Sequence, residues 1–202
     1  MSARRQRQMC IRDRAWDPII VGMLRGDADA LSQATSGHTI RRAGIGGLRA
    51  LHAQGDDAAL KLWTARLREA ALADRDPSER PQVLGELGRV LGELGHREAA
   101  DALMMEAFVL AEALPRTDQG WSRHNALERV GCFSIRAGSH AAALKSLQKC
   151  TSRHRRPTLV RRLAICYVEA GDYAGAARIL SFTKPDESHD YSMAAQWAAE
   201  AL

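Results

Sequence analysis

The residues best equipped for chemistry in this chain are arginines and cysteines. Arg153, Arg155 and Arg156 in SRHRRP, followed by Arg161 and Arg162, form the one local charge cluster outside the first fourteen residues. A guanidinium offers a planar fork of donors that grips a carboxylate through two parallel hydrogen bonds, so these arginines point to an acidic peptide as ligand. Arg153, Arg155 and Arg156 are expected to follow a helix, as a solvated loop whose cations meet the negative C-terminal end of the dipole. Cys132, Cys150 and Cys166 have no CxxC spacing, which fits reduced, buried thiols in a cytoplasmic setting. Cys150 and His154 could share a helix face, and Cys132 and Cys166 fall in neighbouring repeats, but zinc needs four convergent ligands, so no metal is expected. The seven histidines (His38, His52, His96, His124, His140, His154 and His189) are scattered, mostly near expected helix ends.

Other catalytic signatures are missing. No GxSxG, HExxH or paired-carboxylate constellation occurs, and no GK[ST] motif is present to cradle a phosphate. The segment AGIGGLR, with Gly44, Gly46 and Gly47, comes near a dinucleotide loop, but Arg49 occupies the third glycine position and no strand precedes it. Close packing of a neighbouring helix explains these glycines better. The chain therefore reads as a non-enzyme without cofactors.

The net charge of +5 invites a nucleic-acid reading, but it is unevenly placed. Arg4, Arg5, Arg7, Arg12 and Arg14, offset by Asp13, carry +4 of it, which leaves +1 from Ala15 onward. The string RRQRQMCIRDR back-translates to the adapter left by transposase-based sequencing libraries, so residues 1–14 are expected to lie outside the fold. What remains is nearly neutral and has no repeated basic stripe, so nucleic acid is not expected as a partner. No apolar run approaches the roughly 18 residues needed to span a bilayer.

The elements that must position these side chains are helices. The chain is rich in Ala and Leu, poor in aromatics, and has no β-branched run long enough to suggest a sheet. Three segments share one frame. Leu84, Leu87, Gly88 and Leu91 precede Gly95 and then Ala100, Met104 and Ala107; Leu127, Val130, Gly131 and Ser134 precede Gly138 and then Ala143, Leu147 and Cys150. Val160, Leu163, Ala164 and Tyr167 precede Gly171 and then Ala176, Leu180 and Thr183. Apolar residues three and four apart make one sticky face, and the small residue within it admits a close neighbour. The glycine that follows falls where the helix must stop, because it accepts the left-handed conformation. Upstream, Gly26 in GDADAL and Gly55 in GDDAAL mark degenerate copies, and Pro77 and Pro81 bracket a linker. The longer unit carries LPRTDQGWSRH as a loop between repeats.

This frame resembles the tetratricopeptide repeat, most closely in the third unit, with Tyr167 at the tyrosine position and AGDYAGAA across the turn. Ser134 and Thr183 depart from the family pattern. The resemblance implies an all-α, right-handed α-solenoid of antiparallel helix pairs. Degenerate repeats would fill residues 15–77, three regular repeats residues 78–184, and a truncated further repeat residues 185–202. It also implies that first helices line a concave groove, which makes Gln82, Glu86, Arg89, Asn125, Glu128, Arg129, Cys132, Thr158, Arg161, Arg162 and Ile165 the candidate contacts. The Lys and Asn set with which some members clamp a terminal carboxylate is absent. The expected role is a scaffold that binds a peptide or partner domain through that face. The alternative is the sensory or docking part of a larger enzyme or transcriptional regulator.

Overall fold

The computed structural model describes residues 17–27, 29–33, 37–115, 121–150 and 155–182. The expected adapter-derived segment 1–14 and the expected truncated repeat 185–202 lie outside them. Among the described residues the chain is all-α: nine α-helices, one 3-10 helix and no strand. The helices are α1 (Asp17–Leu24), α2 (Gly37–Gln54), α3 (Asp57–Leu72), α4 (Arg80–Glu93) and α5 (Arg97–Ala113). They continue with α6 (Trp121–Arg136), α7 (His140–Lys149), α8 (Arg155–Glu169) and α9 (Tyr173–Leu180), while the 3-10 helix η1 (Ala30–Gln33) follows α1. The fold divides into two compact units between Val83 and Leu84, inside α4.

One turn recurs throughout. Gly26, Gly55, Gly95, Gly138 and Gly171 all have φ between 72° and 88°, and no other described residue type has positive φ. At Gly95 the glycine N–H donates to the Gly92 carbonyl (3.0 Å) and the next N–H, from His96, donates to Leu91 (2.9 Å). The same two bonds close after Gly26, Gly55, Gly138 and Gly171. This is the Schellman arrangement, which satisfies two carbonyls that a helix end otherwise leaves open. Gly26 and Gly55 thus share the turn of the regular units, as the GDADAL and GDDAAL strings imply. After the turns at Gly55, Gly95, Gly138 and Gly171 the next helix starts two residues on. Asp56 and Asp172 cap α3 and α9 by accepting from Ala59 N–H (2.9 Å) and Gly175 N–H (2.8 Å).

In the first unit, α2 packs against both α1 and α3. A Cβ on Gly46 would fall 2.6 Å from Ile20 Cδ1, and one on Gly47 would strike the Met23 side chain. The glycines of AGIGGLR are therefore packing glycines. Trp63, Leu48, Leu51 and Leu67 are fully buried, and each contributes about 1.5–3 kcal/mol of transfer free energy. Only η1 stands after Gly26, because Asp27 Oδ1 captures the Asp29 N–H (3.0 Å) in a local turn that competes with a helix. The segment between Pro77 and Pro81 is pinned rather than open. Asp76 Oδ1 accepts from Ser78 N–H and Oγ–H (2.8 and 2.7 Å), and Arg80 donates twice to the Asp74 carbonyl (2.9 and 2.7 Å). Pro81 sits in the first turn of α4, where a missing N–H costs nothing.

In the second unit, α6 packs against α5 and α7, α8 packs against α9, and two further contacts run between pairs, α6 with α8 and α5 with α7. Leu84, Leu87, Leu91, Leu127, Val130 and Leu163 form the sealed faces, and Ala100, Ala143 and Ala176 are fully buried. A Cβ on Gly88 would meet Ala100 O and Met104 Cε at 3.2 Å, and one on Gly131 would meet Leu163 Cδ2 at 3.0 Å. The tightest approach is at Gly92, where a Cβ would lie 2.5 Å from Ala137 O and 2.7 Å from Ala137 Cα. Two placements differ from the sequence expectation. Arg155 and Arg156 open α8 instead of trailing α7, which ends at Lys149, and Trp121 to His124 lie in α6 rather than in a loop. Pro157 explains the first, since proline is tolerated in an opening helical turn and its own N–H is not needed there.

The backbone contact at Gly92 makes a specific expectation. Gly92→Ala should lower unfolding free energy by about 1–3 kcal/mol, read as a lower urea midpoint at unchanged slope. Gly88→Ala, which meets the flexible end of Met104, should cost less; an equal or larger loss at Gly88 would contradict the assignment of Gly92 as the tightest contact.

Candidate functional site

The site builds itself from helical spacing. On α6, Glu128, Arg129, Cys132, Phe133 and Arg136 recur three to five residues apart and so share one face. On α8, Arg162, Ile165 and Cys166 do the same. Because α6 and α8 lie side by side, the two faces enclose a groove of about 260 Å³ lined by these eight residues. Buried Leu127, Val130, Leu163 and Ala164 occupy the opposite faces of the same helices and hold the walls in register.

Two ion pairs cross the groove. Arg162 Nη1 lies 2.5 Å from Glu128 Oε1, and Arg136 Nη2 donates to Glu169 Oε2 at 2.9 Å. The guanidinium side chain of Arg162 is 58% exposed whereas Glu128 is 12% exposed, so the carboxylate is the anchored partner and the arginine the accessible one. The Arg136–Glu169 pair, about half exposed on both sides, is of the kind worth about 0–1 kcal/mol, so an incoming carboxylate can replace Glu169 at little cost. Phe133 and Ile165 supply apolar surface between the charges.

Cys132 and Cys166 meet in the same groove. The Cys132 S–H donates to the Cys166 sulfur, and this bond, together with the facing Arg136 guanidinium, holds the Cys166 thiol below its ordinary range. Cys132 is pushed up, first because it donates that bond and then by burial. The pair therefore gives up its first proton readily and its second with difficulty. Cys150, 1% exposed, belongs to the same apolar cluster as Cys166, with Leu147, Leu159 and Ile179, but does not line the groove. None of the three is in a disulfide, and no group of three or more potential metal ligands occurs among the described residues.

The candidate contacts inferred from the sequence separate into two sets. Glu128, Arg129, Cys132, Arg162 and Ile165 line the groove together. Asn125 and Arg161 are half-buried on the same helices but do not line it. Arg89 is held on α4 by ion pairs to Glu93 and to Glu86, 3.7 Å away, and Gln82, in the first unit, donates to the Ser78 carbonyl (3.1 Å). Of Thr158 the structure describes only its place in α8. The groove also contains Phe133, Arg136 and Cys166, which the sequence reading missed. Each continues the chosen face by one turn (Arg129 to Phe133, Cys132 to Arg136, Arg162 to Cys166), so extending the face toward the turn glycines finds them.

The shared proton has a measurable consequence. Thiolate absorbance followed from neutral to alkaline pH should show one of the folded-state cysteines ionising below the usual value of about 8.5, and that step should vanish in Cys166→Ser. In Arg136→Gln it should move upward, since the facing cation that favours the thiolate is gone. A step that survives Cys166→Ser would place the perturbed thiol elsewhere. No described helix is long and apolar enough to cross a membrane, and no family model, curated protein or solved structure matches the chain.

Proposed function

We propose that this chain is a non-enzymatic interaction module, an α-solenoid of antiparallel helix pairs resembling tetratricopeptide repeats, and that the α6–α8 groove takes an acidic peptide. The repeated turn at Gly26, Gly55, Gly95, Gly138 and Gly171 supports the first part, as do the contacts of α6 with α8 and of α5 with α7. Stacking of like units is what gives such arrays extended binding surfaces.

The observation that carries the ligand class is the groove lining. Arg129, Arg136 and Arg162 line the groove beside the apolar Phe133 and Ile165, and Arg136 and Arg162 already hold carboxylates there, Glu169 and Glu128. A carboxylate on the ligand would take the place of the exposed Glu169 on the guanidinium fork, and an adjacent apolar side chain would cover Phe133. At about 260 Å³ the groove is smaller than most small-molecule pockets and fits one or two peptide side chains.

The test uses fluorescently labelled decapeptides in which Asp or Glu alternates with Leu or Phe, against versions with Lys in place of each acidic residue. Acidic peptides should bind more tightly than their Lys counterparts, and raising salt from about 0.05 M to about 0.5 M should weaken them. Arg129→Glu combined with Arg162→Glu should reduce affinity at least about tenfold, or about 1.4 kcal/mol, without changing the helical circular dichroism. Equal binding of acidic and Lys peptides, or an unchanged affinity in the double variant, would remove the groove assignment.

A further inference from the structure

We propose that Cys132 and Cys166 form an oxidisable dithiol, a modification site that a hydroperoxide closes to a disulfide between α6 and α8. The proposal does not depend on what the groove binds.

Three observations place the reaction here. Both cysteines line one groove, Cys132 half-buried and Cys166 buried at its floor, and each comes from a different helix wall. The two residues stand on neighbouring helices and line the same small groove, so the fold brings both thiols to one place in the reduced protein. Arg136 faces Cys166 from α6 and is itself tied across the groove to Glu169 on α8. A thiolate beside a cation in a partly open site is the combination that makes a cysteine reactive, whereas a thiol sealed among apolar groups is inert. Cys150 is the internal comparison, since it is 1% exposed and does not line the groove.

The roles follow from the environment. Cys166, whose charged form is favoured by the Cys132 hydrogen bond and by Arg136, is the attacking sulfur. Its thiolate attacks the distal oxygen of the hydroperoxide and forms the S–O bond. The O–O bond breaks, the departing alkoxide or hydroxide takes up the proton that Cys166 lost, and Cys166 becomes a sulfenic acid. Cys132 then resolves it. Its sulfur loses its proton and attacks the Cys166 sulfur; the S–O bond breaks, and the hydroxide leaves with that proton as water. Two thiols and one hydroperoxide give one disulfide, one alcohol or water from the peroxide, and one further water. The two electrons pass from sulfur to the peroxide oxygen.

The experiment uses the full chain treated with one equivalent of hydrogen peroxide, quenched with N-ethylmaleimide and digested with trypsin. The expected product is the linked pair VGCFSIR (130–136) and LAICYVEAGDYAGAAR (163–178), lighter than the sum of the two peptides by two hydrogens and separated by dithiothreitol. Cys150 should be recovered as its N-ethylmaleimide adduct. In urea the preference for this pair over pairs containing Cys10 or Cys150 should disappear, because only the fold brings the two sulfurs together. Cys132→Ser should stop at the sulfenic acid, which dimedone traps on peptide 163–178. The proposal is overturned if the linked pair is absent from the native protein, if it is no more abundant than pairs with Cys10 or Cys150, or if its yield is the same in urea. Dimedone capture on Cys132 in Cys166→Ser at a rate equal to that on Cys166 in Cys132→Ser would overturn the assignment of the attacking sulfur.

Discussion

The left-handed glycine at the end of alternate helices is the constraint from which the rest of this structure follows. At that position the chain must turn within two or three residues, and the two hydrogen bonds of the turn close only if one residue adopts positive φ. An L side chain there costs about 1–2 kcal/mol, so glycine is selected by sterics rather than by chemistry. Once the turn is set, the next helix begins at a fixed distance along the chain, and the small residues Gly88, Gly92 and Gly131 determine how closely the neighbours come. The element that fails the pattern shows how the rule can be overridden. After Gly26 the turn is intact, but Asp27 bonds the backbone two residues on, and only four residues of 3-10 helix form.

The groove is a by-product of that same regularity. A helix whose buried face is occupied by Leu127 and Val130 must present residues about a half-turn away on its other side. When α8 repeats the frame beside it, two such outer faces adjoin. Charge then lands where no core packing constrains it, and the arginines reach across to Glu128 and Glu169 on the opposite helix. The Arg136–Glu169 bridge is exposed enough to exchange, which suits a surface that takes another carboxylate.

The two thiols belong to the same geometry, with opposite consequences for each sulfur. Cys132 and Cys166 occupy equivalent faces of α6 and α8, so neighbouring helices bring them together although each is alone in its own helix. One proton shared between them makes the pair more acidic for its first ionisation and less acidic for its second. Cys150 shares the residue type but does not line the groove, so it meets neither the other thiols nor Arg136 there. Residue identity sets the available chemistry, and placement decides whether it is expressed.

Helical class, the position of each turn and the buried faces were legible in the sequence, because each depends on residues within one or two helical turns of one another. Leu127, Val130 and Gly131 announce a buried stripe, and Gly138 announces where it ends. The face that carries Glu128, Arg129, Arg162 and Ile165 was legible for the same reason. Other outcomes were not. Arg89 takes the place of Cys132 in the repeat frame and reads as a groove contact, yet Glu86 and Glu93 on its own helix occupy it. Arg155 and Arg156 read as a loop, yet α8 starts beneath them. The meeting of Cys132 with Cys166, and of Arg136 with Glu169, joins residues more than thirty positions apart. Periodicity determines what each helix presents; which helices become neighbours, and how near, depends on packing between elements, and only the tertiary structure decided that.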